Sequence, residues 1–89
     1  MARLSSARVL RDVGLRVREL RAEHGFTQEQ LAERLKVTAR WLQSVEAGKE
    51  NLTLGTLVRI ANALKVPMVE FFTPPTVTSR KPGRPPRSR

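Results

Sequence analysis

Residues 26–48 read Phe26-Thr27-Gln28-Glu29-Gln30-Leu31-Ala32-Glu33-Arg34-Leu35-Lys36-Val37-Thr38-Ala39-Arg40-Trp41-Leu42-Gln43-Ser44-Val45-Glu46-Ala47-Gly48, and this stretch decides the fold. Thr27 is placed to cap a helix, and Gln30, three residues on, completes a capping box. Leu31, Ala32 and Leu35 recur at helical spacing and form the buried face. Lys36-Val37 is a short connection. Thr38 is a second cap, and Leu42 and Val45 point inward from the helix it opens. Gly48 ends that helix, because glycine tolerates the left-handed conformation of a C-terminal cap. Two helices of about ten residues therefore meet across a tight turn. The small Ala32 lies where they must pass closely.

Working outward, Val9, Val13, Val17 and Leu20 define one face of a preceding helix that runs to about Glu23. Gly14 weakens that helix, which starts either near Ser6 or, after a looser turn, near Gly14. His24-Gly25 ends it. On the other side, Thr53 caps a fourth helix carrying Leu54, Leu57, Ile60, Ala61 and Leu64. Pro67 suits the first turn of a short fifth helix, Met68 to Phe72, and Pro74-Pro75 stops it. Residues 76–89 hold Pro, Ser and Arg with almost nothing to bury, so they are expected to be disordered when free. The sequence shows no internal repeat and no strand pattern. The expected fold is all-α: a bundle of four core helices and a short fifth. An N-terminal arm (1–12) precedes a domain (13–72) and a disordered basic C-terminal tail (73–89).

Composition narrows the function. The chain has 89 residues, no Cys, one His (His24) and one Asp (Asp12). That inventory supplies neither thiolate metal sites nor a convincing Ser-His-Asp triad, so no enzyme, metal or cofactor is expected. No apolar run approaches the roughly 20 residues of a membrane span. The start, Met1 to Ser6, lacks the apolar block of a signal peptide. A soluble cytoplasmic protein, on the nucleoid when bound, is the expectation. The net charge is +9, yet residues 14–72 carry only +2, residues 1–13 carry +2 and residues 73–89 carry +5. Basic flanks suit a polyanion such as DNA, or simply keep the chain soluble.

Read together, the residues resemble a known family. Arg16-Val17-Arg18-Glu19-Leu20-Arg21, followed by Gly25 to Leu35, is similar to the first half of the Cro/phage-repressor (XRE-like) helix-turn-helix domain. Leu42 to Gly48, with Glu46 and Gly48, is similar to the end of its recognition helix, and Thr53 to Phe72 to its last two helices. The resemblance covers residues 13–72. It implies sequence-specific binding to double-stranded DNA, the second helix of the pair lying in the major groove. Gln28 matches the family glutamine that bonds a phosphate. Arg21 and Glu46 match a structural ion pair between helices one and three. Ala39, Arg40 and Ser44 match positions that reach base edges. Thr38, Trp41, Gln43 and Lys49 complete the expected DNA-binding set. Two positions depart from the family pattern: Ala47 stands for a common Asn, and Leu52 for a common Pro.

The chemistry of these side chains agrees with the implied roles. The planar fork of Arg40 fits guanine O6 and N7, Ala39 offers only apolar contact, and Ser44 can donate or accept. Trp41 is expected to stand exposed, against sugar or base edges, with packing inside the fold as the other reading. The apolar cluster Val66 to Phe72 has two readings. Val69 and Phe72 close the core, or the cluster forms a dimer surface that uses Met68 and Phe71 as well. The second is preferred, since a two-fold dimer would set two recognition helices about 34 Å apart on a palindromic operator. The tail Ser79 to Arg87 partly resembles an AT-hook: Gly83-Arg84-Pro85 matches, while Pro82 stands where Arg is usual. Arg84 would then enter an A/T minor groove. A regulator of this kind, most simply a repressor, is the main expectation. An antitoxin that also binds a toxin, or a restriction-modification controller, is the alternative.

Overall fold

Every α-helix among the described residues starts on a hydroxyl. In the computed structural model, which describes residues 4–76, the helices are α1 (Ser6–Glu23), α2 (Gln28–Leu35), α3 (Ala39–Glu46) and α4 (Leu54–Leu64). Ser5, Thr27, Thr38 and Thr53 precede them, and each side chain accepts the backbone N–H three residues on. Each cap satisfies one otherwise orphaned donor and contributes about 1 kcal/mol. At Thr27 the box is complete, since the Thr27 N–H donates to Gln30 Oε1 at 2.9 Å. The described residues contain no strand.

The ends of α2 and α4 are built alike. Leu35-Lys36-Val37 and Leu64-Lys65-Val66 both place a lysine in the left-handed region, at φ 63° and 60°. The following valine N–H then reaches back to Ala32 O (2.9 Å) and Ala61 O (3.0 Å). This is the Schellman arrangement, with lysine where glycine is usual. It makes the turn between α2 and α3 tight. The Arg59 guanidinium also donates to the Leu35 carbonyl at the end of α2.

One core fills the space between the helices. It comprises Val13, Val17 and Leu20 of α1, Leu31, Ala32 and Leu35 of α2, Leu42 and Val45 of α3, Leu57, Ile60, Ala61 and Leu64 of α4, and Phe71. α1 packs on α3 and on the C-terminal turn, and α2 packs on α3 and α4. Gly14 has a positive role in this packing. A Cβ there would collide with the Val45 carbonyl, so its absence lets α1 approach the end of α3.

Several expectations change. α1 is one continuous helix from Ser6, so residues 6–12 belong to it and no looser turn precedes Gly14. Its apolar stripe stops at Val13; Val9 lies beyond the core and is exposed. The expected fifth helix is a five-residue 3-10 helix, Met68–Phe72, so the described residues hold four α-helices. Three residues per turn put i and i+3 on one side. Met68 and Phe71 accordingly face the core, Phe71 at 1% exposure, while Val69 (65%) and Phe72 (54%) face outward. Phe71 is thus a core residue and not part of a dimer surface, and Val69 and Phe72 do not close the core. Most of the expected disordered tail (73–89), with its AT-hook-like segment and Arg84, falls in residues 77–89, outside the described residues.

Candidate nucleic-acid interface

Helical spacing divides α3 into two faces. Leu42, Val45 and Glu46 are buried, and Arg40, Gln43 and Ala47 are exposed. Ser44 and Ala39 are half-buried at the border. Thr38 is exposed and spends its hydroxyl as the cap, accepting from the Trp41 N–H at 3.0 Å. Lys49 is exposed just past Gly48, its backbone N–H tied to Ser44 O at 2.8 Å.

Trp41 does not stand free as expected. It is half-buried and packs against the core. The reason lies in the spacing: residue 41 is four before Val45, so it shares the inward stripe of the helix.

The buried face is fixed at its end by Glu46. Its side chain is 3% exposed, and Arg21 grips it with Nε–Oε2 at 2.6 Å and Nη2–Oε1 at 3.1 Å. Such a two-point, charge-assisted grip sets both position and angle. Arg21 Nη1 also donates to Phe26 O at 2.8 Å. Gln28 Nε2 donates to Glu46 Oε1 at 2.9 Å. One carboxylate therefore joins α1, the start of α2 and α3. Gln28 keeps a second amide hydrogen for another acceptor, because a side-chain amide has two.

The arginines of the domain separate into two groups. Arg16, Arg21, Arg34 and Arg59 are engaged within the protein, Arg34 lying 4.9 Å over the Phe26 ring. Arg40 and Arg18 make no hydrogen bond or ion pair among the described residues. Arg18 borders an open depression with Arg21, Gln28, Gln43, Glu46 and Ala47, beside the exposed face of α3. The structure thus brings Gln28 and Gln43 together, leaves Arg40 outward, and places Lys49 at the far end of the helix.

Sequence reasoning missed two features. Arg18 is one. The other is Arg16, 6% exposed, which holds the C-terminal turn against α1. Its Nε donates to Glu70 O, its Nη2 to Glu70 Oε1 and its Nη1 to Glu19 Oε1, each at 2.8 Å. The signal was available: Arg16 sits three residues after Val13 and four before Leu20, a charge on an apolar face.

Two short helices at a tight turn, the second with a buried inner face and a polar, unengaged outer face, define a helix-turn-helix DNA-binding domain. The HTH_3 helix-turn-helix family profile matches residues 17–71, and the chain belongs to this XRE-like family of transcriptional regulators. It is 42% identical over 62 residues to an uncharacterized HTH-type transcriptional regulator, y4dJ of Sinorhizobium fredii, covering 70% of this chain and 80% of that one. The immunity repressor protein of Bacillus phage phi105 is 37% identical over 54 residues, covering 61% of this chain and 38% of the repressor. Among solved structures, the restriction-modification controller protein C.AhdI of Aeromonas hydrophila superposes with a TM-score of 0.67 at 35% identity. That match covers 71% of this chain and 96% of the controller.

Proposed function

We propose that the chain is a homodimeric repressor that reads a palindromic operator through α3. One observation carries this: the outer face of α3 presents Arg40 and Gln43 exposed and unbonded, on a helix whose inner face is locked by Leu42, Val45 and Glu46. A surface helix with no partner has no need of so rigid a mount. Arg40 reads a guanine, Gln43 and Ser44 read neighbouring bases, and Ala39 meets a thymine methyl. Thr38 and Trp41 set the angle of the helix, and Gln28 and Lys49 hold phosphates on either side. Val69 and Phe72, exposed on the 3-10 helix, are the dimer contacts in place of Phe71, with half-buried Met68 beneath them. Blocking a promoter is the simplest action for such a domain. The controller reading draws support from the near-complete coverage of C.AhdI.

The test is site selection from a random DNA library with the wild-type protein and with Arg40→Ala. The substitution is expected to keep helicity and lose preference at one base of each half-site, about 1–3 kcal/mol of discrimination. An unchanged selected site would remove Arg40 from the readout.

A further inference from the structure

The part of α1 that precedes the family match carries charges the helix itself does not want. Residues 6–16 lie before the matched segment, yet α1 is continuous from Ser6. Arg8 sits three residues after the Ser5 cap, where a Glu or Gln would complete a capping box. The first turn holds no acidic residue. Cations in the first turn of a helix oppose its dipole, so Arg8 is there at the expense of helix stability, and Arg11 follows one turn on. Both are exposed, and neither side chain has a bonding partner among the described residues.

Packing fixes where these charges stand. Gly48, at the end of α3, lies directly against α1. A Cβ on Gly48 would come within 2.7 Å of Arg11 Cα and 3.3 Å of Arg11 Cβ. Arg11 is therefore held beside the loop that carries Lys49. Arg18, seven residues on, lies two turns further along the same side of α1, about 10 Å away. It borders the depression that also takes in Gln28 and Gln43. Asp12, the acid nearest in sequence, points about 100° around the helix from Arg11 but lies one turn along from Arg8, on the same side of α1.

The geometry points to a second DNA-contacting element: Arg8, Arg11 and Arg18 of α1, with Lys49, form a basic rail that grips the sugar-phosphate backbone beside the groove entered by α3. The inference rests on the proposed docking of α3 in the groove. The arginines of the rail stand on α1 and not on the helix that enters the groove, so the rail is assigned to phosphates and adds affinity without sequence preference. Its Arg8 and Arg11 also widen the contact beyond what the matched family segment, residues 17–71, supplies.

The experiment uses the full chain and the double variant Arg8→Gln/Arg11→Gln, with Lys49→Gln as a second probe of the same rail. Binding to the selected operator and to a random duplex is measured across a salt series, and folding is checked by circular dichroism. The double variant is expected to keep its fold and its selected site. It should weaken binding to both duplexes alike and lower the log–log salt slope by about 1.8, two phosphate contacts at about 0.9 each. Lys49→Gln should lower it by about 0.9. An unchanged slope in the double variant overturns the rail while leaving the regulator intact. A changed site preference overturns its assignment to the backbone. A wild-type protein that selects no site instead contradicts the operator reading, and the slope on the random duplex still decides the rail.

Discussion

Glu46 shows how much one side chain can fix. It is buried, receives Arg21 at two points and Gln28 at a third, and so ties the recognition helix to both helices before it. Removing it leaves a largely buried guanidinium without its counter-ion. Glu46→Ala is therefore expected to destabilise the fold by about 3–5 kcal/mol, as read by chemical denaturation. A loss below 1 kcal/mol would mean the pair is screened by water and marginal. Family resemblance made the Arg21–Glu46 pair legible in the sequence. The bond from Gln28 to Glu46 was not, because it joins residues 18 apart that only the fold brings together. Trp41 was misread for a related reason. An indole has a polar tip and an apolar body, and the choice between solvent and core depends on neighbours that a sequence does not place.

At the level of the element, helix starts were more legible than helix ends. Thr27, Thr38 and Thr53 are caps in the structure because a hydroxyl before a helical apolar pattern has a local job. The ends of α2 and α4 carry lysine in a conformation that favours glycine. Lys36→Gly and Lys65→Gly are each expected to stabilise the domain by about 1 kcal/mol, seen as a higher Tm. Unchanged or lower melting temperatures would mean the lysine side chains contribute more than the strain costs. Gly14 is the opposite case. It reads as a weakness in α1, while the structure makes it the point of closest approach to α3. Gly14→Ala should improve the isolated helix yet destabilise the protein by about 2–3 kcal/mol through overpacking. A stabilised variant would show that the two helices can move apart freely.

For the whole molecule, the all-helical fold and the paired helices were readable from periodicity and capping. The C-terminal turn was not. Five residues cannot distinguish an α from a 3-10 winding by pattern, and the pattern does not say which of the pairs 68/71 and 69/72 faces the core. The winding, with Arg16 clamping Glu70, directs Val69 and Phe72 outward. Replacing Phe72 with Ser should shift a dimer toward monomer in sedimentation experiments and leave the thermal transition of the domain largely in place. The same substitution at Phe71, which is 1% exposed, should unfold it. Equal effects at both positions would contradict the division of faces. Removing residues 77–89 takes away five positive charges and no acid. It should flatten the salt dependence of DNA binding while preserving the selected site.

The most direct test of the central claim is selection from a random DNA library by the purified full chain at about 150 mM salt, where nonspecific attraction is screened. The account predicts a palindromic site with half-sites about one helical turn apart, which two recognition helices on a two-fold dimer require. Weak, sequence-blind binding that salt abolishes would contradict it.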